Sequence, residues 1–166
     1  MHNESLLIMK QFVDRYLHRD KELKILDVGS FDVNGNYKYI FDSPKWTYIG
    51  LDIAPGPNVD VVSASEYDFG LDSNSFDVVI SGNTAEHVKD IFSWIKEIAR
   101  VTKPSGIVCI ITPTWIHEHK HPTDCWRIMP DGMSYLFEIA NLEKQEVQIV
   151  KTIHGDIVGV AKKRIV

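Results

Sequence analysis

The feature that most constrains the fold is a series of short apolar runs that alternate with segments of helical periodicity. The runs at 24–28 and 46–53 stop at an aspartate or a glycine, which is typical of a buried parallel strand entering a tight turn. The predicted strands are, in chain order, 24–28, 46–53, 58–63, 76–81, 107–112, 146–153 and 157–163.

Helical patterns separate most of these strands. Apolar residues between Leu6 and Leu17 fall on one helical stripe, and the segments 88–101 and 131–141 show the same periodicity. The link 54–57, Ala-Pro-Gly-Pro, is too short for a full helix. The alternation predicts an α/β protein with a doubly wound, mostly parallel sheet of seven strands and helices on both faces, trimmed between strands two and three.

Composition limits the function classes. With 166 residues, 44% of them hydrophobic, we expect one domain spanning residues 1–166. The net charge is −5 and the basic residues are scattered, so nucleic acid is not an expected partner. No apolar run is long enough for a signal segment or a membrane span, and a monomer and a homodimer are both compatible with the sequence.

The two cysteines give a further indication of location. Cys109 lies in an apolar run and Cys125 in a polar loop, and no CxxC spacing is present. We expect two free thiols in a reducing environment, and therefore a soluble cytoplasmic protein without contact to membranes.

The turn after the first strand predicts a ligand site. Gly29 and Gly35 would let a ligand approach the backbone closely, but the bulky residues 31–33 do not fit the dinucleotide pattern GxGxxG. A ligand without phosphates fits better. Asp52 ends the second strand, where a carboxylate can accept both hydroxyl hydrogens of a ribose. The alternative for Asp52 is a solvated turn aspartate or a helix cap.

Four segments resemble the class I methyltransferases that use S-adenosylmethionine. They occur in the order of that family and are residues 25–30, Asp52, residues 74–81 continuing to 85–88, and residues 97–106. The resemblance implies a Rossmann-like fold, S-adenosylmethionine as cofactor and S-adenosylhomocysteine as product.

The resemblance also implies positions for the cofactor contacts. The residues concerned are Asp27, Gly29, Ser30 and Gly35 around the first turn, Asp52 and Ile53 after strand two, Ser65 and Glu66 after strand three, and Ser81 and Asn83 after strand four. Gly29 would face the methionine part, Asp52 would hold the ribose, and Ile53 would lie against adenine. Ser65 or Glu66 would meet the adenine amine.

Two departures from the family pattern stand out. Phe31 occupies the place of a second glycine, and the helix between strands two and three is absent. In this family, the pair Glu86-His87 is expected to cap and pack the following helix rather than to act as a base.

The loop after strand five is the predicted acceptor site. Residues 114–133 are aromatic and rich in titratable groups, as in functional lids and binding loops. The run 121–132, HPTDCWRIMPDG, is similar to that of family members found among sugar and surface-polysaccharide genes, which implies a glycan-linked substrate. The catalytic candidates are His117, His119, His121 and Asp124, and the substrate-binding candidates are Trp115, Trp126 and Arg127.

These loop residues allow several interpretations. In an extended strand the alternating histidines His117, His119 and His121 would point one way and could bind a metal with Asp124, but we expect no metal and favour a general base. Asp124 and Arg127 are expected to form an ion pair that pins the loop with the indole of Trp126 as its anchor.

The sequence therefore predicts a methyltransferase that uses S-adenosylmethionine on a small-molecule or glycan-linked acceptor, at oxygen or nitrogen. Two alternatives stay open. One is a cofactor-binding or regulatory module without turnover, and the other is a nucleotide-linked oxidoreductase with a similar strand-end carboxylate.

Overall fold

A sheet of seven strands runs through the molecule. The structure is a computed structural model that describes the chain from residue 3 to residue 165 except residues 152 and 154. The strands are β1 (Leu23–Val28), β2 (Trp46–Asp52), β3 (Val61–Val62), β4 (Phe76–Gly82), β5 (Thr102–Pro113), β6 (Leu142–Ile149) and β7 (Asp156–Lys163). Their order is β3-β2-β1-β4-β5-β7-β6.

The first five strands are parallel, and β7 is antiparallel to both β5 and β6. Helix α1 (Asn3–Tyr16) covers one face, and helices α2 (Ile91–Val101) and α3 (Pro130–Ile139) cover the other. Neighbouring residues of β1 show this division, since Ile25 packs in the α1 layer and Leu26 in the α2 and α3 layer. The predicted doubly wound sheet with helices on both faces is confirmed.

The connections along the β3 edge are reduced, as the sequence indicated. No α-helix lies between β2 and β3, and β3 has only two residues, fewer than the predicted 58–63. The reason is that Asp60 bonds to β2 with its side chain: Gly50 N donates to Asp60 Oδ2 (2.8 Å) while Asp60 N donates to the carbonyl of Gly50 (2.8 Å). This pairing takes the place of a regular ladder.

Several element boundaries differ from the predictions. Asp90 caps α2 by accepting a hydrogen bond from Ser93 N (3.1 Å), so the expectation that Glu86-His87 caps this helix is wrong. Strand β6 begins at Leu142 rather than at residue 146, because Asn141 takes a left-handed conformation (φ +56°) that ends α3 and turns the chain directly into the strand. His154 of the predicted β6–β7 turn lies outside the described residues.

The parallel strands β1, β2, β4 and β5 all present their carboxyl ends at one edge of the sheet, where ligands bind in folds of this kind. Cys109 is buried, Cys125 is exposed, and both are free thiols. Among the helices that the structure describes, none has both the length and the apolar character needed to cross a bilayer.

Candidate active site

A cavity of about 650 Å³ opens at the carboxyl ends of β1, β2 and β4. This volume is within the range of small-molecule sites. Its walls come from the loops that follow these strands and from the loop after β5, with residues 27–31, 33–35, 51–54, 82–84, 86–88 and 119–122 on its surface. The cavity therefore joins the predicted cofactor loops to the predicted acceptor loop.

The turn after β1 needs glycine at its first position. Gly29 has φ +80°, and a β-carbon there would overlap the side chain of Thr84 from the β4 loop. Asp32 holds the rest of the turn by accepting hydrogen bonds from Gly35 N and Asn36 Nδ2, each at 2.6 Å. The ring of Phe31 packs over Gly56 of the β2–β3 link, which is how the turn accommodates a large side chain in place of a second glycine.

Asp52 is fixed at the rim of the cavity by backbone amides. Its Oδ2 accepts from Phe31 N (3.1 Å) and its Oδ1 accepts from Ala54 N (3.2 Å). A carboxylate has about four acceptor sites, so both oxygens can still accept hydrogen bonds from a ligand. Ile53 follows on the cavity wall with 47% of its surface exposed, which provides an apolar contact for a planar ring.

Asn83 provides an unpaired amide on the cavity wall. Its backbone is left-handed (φ +55°) and its N–H donates to the carbonyl of Ile111 (2.8 Å). Within the described part of the chain, neither Oδ1 nor Nδ2 has a hydrogen-bond partner, although both atoms are shielded from solvent. Buried polar groups are normally paired. An amide of this kind can pair with a group that carries both a donor and an acceptor.

Asp27 lies at the base of the cavity and is almost fully buried. Burial raises the pKa of its carboxyl group to about 7, the hydrogen bond from Tyr48 Oη opposes the rise, and the negative charge of Asp52 adds to it. A bound cation would favour the ionised form of Asp27.

The remaining predicted cofactor residues divide into two groups. Ser30 and Glu66 line the cavity. Ser65 and Ser81 do not: Ser65 Oγ accepts from Tyr67 N (3.0 Å), and Ser81 Oγ donates to the carbonyl of Val28 (2.7 Å), which ties β4 to β1. Lining residues outside the predicted set include Tyr37, Ser63, Phe69, Thr84, Glu86 and His87.

The loop after β5 is attached by an ion pair and an indole. Arg127 donates to both carboxylate oxygens of Asp124 (2.6 and 2.8 Å), and its guanidinium lowers the pKa of that carboxyl group. Trp126 Nε1 donates to the carbonyl of Val88 (2.7 Å). Neither Trp126 nor Arg127 lines the cavity, and Trp115 packs against Gly155 with 62% of its surface exposed.

Of the four catalytic candidates, His119 and His121 line the cavity, whereas His117 and Asp124 do not. The imidazole of His119 meets the ring of His87 edge-on, with centroids 5.0 Å apart, and His121 meets it at 5.7 Å. The structure therefore splits the predicted histidine set and adds His87, which precedes it by some thirty residues in the chain.

Glu86 lies behind these rings with no exposed surface. Its Oε2 accepts from Thr112 Oγ1 (2.9 Å), while its Oε1 lies 3.7 Å from His87 Nε2 and 3.9 Å from His119 Nε2. The carboxyl group of Glu86 raises the pKa of His119. One ligand atom from each of Glu86, His87 and His119 lies within 4.8 Å of the others, so this group could hold a metal ion.

Comparison with known proteins agrees with this geometry. Residues 26–110 match the family described as methyltransferase domain. An uncharacterized methyltransferase of Mycobacterium sp. (strain KMS) is 32% identical over 101 residues, which are 55% of this chain and 39% of that protein. A demethylmenaquinone methyltransferase of Chlorobaculum tepidum is 30% identical over 110 residues, 60% of this chain and 44% of that protein.

The fold has close structural relatives as well. A SAM dependent methyltransferase from Aquifex aeolicus superimposes with a TM-score of 0.69 at 17% identity, covering 98% of both chains. This likeness shows the Rossmann-like methyltransferase fold. The chain spans about two fifths of the length of the curated relatives named above.

The fold is that of the S-adenosylmethionine-dependent methyltransferases. Because the matched segment covers 85 of the 166 residues, the chain belongs to the methyltransferase domain family. The cofactor of this class is S-adenosylmethionine, and the residues present fit it: the glycine turn, the rim carboxylate of Asp52 and the unpaired amide of Asn83 border one cavity of sufficient size.

Proposed function

We propose that this protein transfers the methyl group of S-adenosylmethionine to an oxygen or nitrogen of a small-molecule or glycan-linked acceptor. The observation that carries the proposal is the cavity itself. Its lining combines a glycine turn, a carboxylate and an unpaired amide, which we call the cofactor end, with a group of imidazoles, which we call the acceptor end.

The cofactor end would bind by matching polar groups. Asp52 would accept hydrogen bonds from the two ribose hydroxyls, and Ile53 would pack against the adenine ring. Glu66, of the two residues considered for the adenine amine, lines the cavity. Asn83 pairs its amide with the amino acid part, and Asp27 offers a negative charge near the positive end of the ligand. The backbone of Gly29 and Ser30 forms the surface between them.

The reaction depends mainly on the position of the acceptor atom relative to the methyl group. S-adenosylmethionine supplies a methyl group on a positively charged sulfur, which leaves as a neutral thioether. With the cofactor bound, the acceptor atom would bond to the methyl carbon as the carbon–sulfur bond breaks, and the proton of the acceptor would pass to a base of the protein. The loop after β5 would hold the acceptor in line and exclude water, which accounts for much of the rate in reactions of this type.

A proton acceptor is needed where the nucleophile is a hydroxyl or a protonated amine. Of the four predicted catalytic residues, His119 and His121 border the cavity, so the proposed base is one of these two imidazoles. Asp124 would act indirectly, since its Oδ2 accepts from His119 N (2.7 Å) and fixes the loop that carries both rings.

The proposed acceptor class follows from the loop. The run 121–132 resembles that of methyltransferases found among sugar and surface-polysaccharide genes. The polar character of the acceptor end, with three imidazoles and a lysine around it, suits a hydroxylated substrate better than an apolar one. A nucleotide-linked or lipid-linked sugar is therefore the first acceptor to test.

The test combines binding and turnover. Calorimetry with S-adenosylmethionine and S-adenosylhomocysteine should give one site for each per chain. A second assay should follow a labelled methyl group into a panel of hydroxylated acceptors that includes nucleotide sugars. Absence of binding would refute the proposal, and binding without transfer to any acceptor class would favour the non-catalytic module instead.

A further inference from the structure

We propose that Glu86, His87 and His119 form a binding site for a borderline divalent transition metal at the acceptor end of the cavity. The site itself stands apart from methyl transfer, but its role there, as an anchor for the acceptor, rests on the function proposed above. Two histidines and one carboxylate are a recurrent ligand set for catalytic zinc and for non-haem iron.

The donor atoms converge without rearrangement of the chain. Glu86 Oε1 lies 3.7 Å from His87 Nε2 and 3.9 Å from His119 Nε2. Tetrahedral zinc with bonds of about 2.0 to 2.1 Å places its ligand atoms about 3.4 Å apart. A movement of a few tenths of an ångström closes the difference for the two distances from Glu86, and all three ligand atoms lie within 4.8 Å of one another, a span that side-chain rotation can shorten.

The ring orientations are those of metal ligands. His87 Nδ1 lies 2.6 Å from the carbonyl of Thr123, and His119 Nδ1 lies 3.1 Å from the carbonyl of His117. A carbonyl only accepts, so each Nδ1 carries the proton and each Nε2 keeps its lone pair in the neutral ring. Metal-ligating histidines typically donate their second N–H to such a carbonyl. Both Nε2 atoms, the positions that a metal would take, lie within 4 Å of Glu86 Oε1.

Glu86 gives the second, independent observation. Its side chain has no exposed surface, and among the described residues its Oε1 has no hydrogen-bond partner, whereas Oε2 accepts from Thr112 Oγ1. A buried carboxylate oxygen without a partner is costly, and buried charges are normally paired or bound to metals. A cation between Glu86 and the two imidazoles would satisfy this oxygen.

The loop after β5 is fastened around the same point. Cys125 N and Trp126 N both donate to the carbonyl of Glu86 (2.6 and 3.1 Å), and Thr123 Oγ1 donates to the carbonyl of His87. Asp124 fixes the backbone of His119. The loop therefore brings His119 to the Glu86-His87 pair through bonds that do not depend on the imidazoles.

The position of the site defines its use. His87 and His119 line the cavity, so an ion bound to them would keep a coordination position open to the acceptor, and His121 would then be the proposed base. A coordinated hydroxyl is more acidic than a free one, and the ion would also orient it toward the methyl group. The structure thus favours acceptors with a hydroxyl group that can coordinate a metal, such as a sugar diol.

The experiment measures metal binding directly, on protein without a histidine tag and stripped with a chelator. Zn²⁺ affinity and stoichiometry are obtained by competition with a chromophoric chelator, and Co²⁺ loading is followed by visible absorption. The variants are His119→Ala and Glu86→Gln. The matched control is His117→Ala, since His117 stands in the same loop but its side chain lies outside the cavity lining.

We expect one equivalent of Zn²⁺ in the wild-type protein and intense Co²⁺ bands that indicate four or five ligands. Loss of one ligand should weaken Zn²⁺ binding by more than about 100-fold in His119→Ala and in Glu86→Gln, with less than a twofold change in His117→Ala. Circular dichroism and calorimetry with S-adenosylhomocysteine on the same samples verify that both variants fold and keep the cofactor site.

Two outcomes would overturn the metal site. One is a wild-type protein that takes up no Zn²⁺ or Co²⁺, in which case Glu86 and the imidazoles form an ion-pair cluster only. The other is a metal affinity that is lost in His117→Ala and kept in His119→Ala. In either case, intact binding of S-adenosylhomocysteine would leave the proposed methyltransferase function standing, whereas its absence would refute that function separately.

Discussion

Replacement of Asp52 by alanine tests the cofactor end of the cavity most directly. The carboxylate is held by two backbone amides, Phe31 N and Ala54 N, and its free acceptor positions face the cavity. If it binds both ribose hydroxyls, its removal deletes hydrogen bonds to a charged acceptor. Such bonds contribute about 1.5 to 3 kcal/mol, and we expect a loss of about 2 kcal/mol in binding free energy, or roughly 30-fold in affinity.

The assay is calorimetric titration with S-adenosylhomocysteine, which binds without turnover. It is best run at pH 8, above the pKa of about 7 that Asp27 has beside Asp52, so that Asp27 is mainly ionised in the wild type and in the variants alike. Asp52→Asn keeps the side-chain shape and one acceptor, so it should lose less affinity than Asp52→Ala. Asp72→Ala, an exposed aspartate away from the cavity, is the matched control.

The structural role of Asp52 has to be separated from its role in binding. Loss of the two amide contacts loosens the turn after β1 and should lower the free energy of unfolding by about 1 kcal/mol. Urea unfolding of the three variants measures this part. An affinity for S-adenosylhomocysteine within twofold of wild type in folded Asp52→Ala would refute the ribose contact.

Three further predictions follow from the same region. Because the pKa of Asp27 is about 7 in the folded protein against an ordinary 3.8, the folded state holds a proton that the unfolded chain releases, so stability should fall as pH rises between these values. Between pH 5 and pH 7, urea unfolding should show a loss of about 2 kcal/mol in the free energy of unfolding, and this loss should be absent in Asp27→Asn. Parallel pH profiles of stability in the wild type and in Asp27→Asn would contradict this prediction. Gly29→Ala should lower the free energy of unfolding by at least about 1 kcal/mol, because the left-handed backbone and Thr84 both oppose a β-carbon, and an unchanged urea midpoint would argue against this turn geometry. Trp126→Phe removes the hydrogen bond to the Val88 carbonyl, so it should lower the free energy of unfolding by about 1 kcal/mol and speed proteolysis after residue 114. Equal cleavage rates in the variant and the wild type would mean that the indole does not anchor the loop.

Much of the fold was accessible from local patterns. The strand at Leu23–Val28, its termination at Gly29 and the helix at Ile91–Val101 follow from hydrophobic periodicity and from glycine at a turn, which are short-range properties. Boundaries were harder, because they depend on specific caps. Asp90 directly precedes Ile91 and is a residue type typical of helix N-caps, so this boundary did have a sequence signal. The bond of Asp60 to Gly50, which shortens β3, has no such signal.

The cofactor end was also largely predictable, since Gly29 and Asp52 end neighbouring parallel strands and must therefore lie near each other. The acceptor end was not. The alternation of the histidines in the loop after β5 suggested that their side chains point the same way, as they would in an extended strand. The structure has no strand in that loop. His119 lies next to Glu86 and His87, whereas Asp124 forms an ion pair with Arg127.

The sequence by itself determined the succession of strands and helices along the chain and the resemblance to the family. Periodicity, glycine turns and strand-end carboxylates are patterns that extend over only a few residues. Only the tertiary structure decided which titratable groups meet at the acceptor end. Glu86 and His119 are far apart in the chain and come within 3.9 Å because the docked loop and the turn after β4 meet at the same edge of the sheet. Contacts of that range depend on how the loops pack, and no local pattern encodes them.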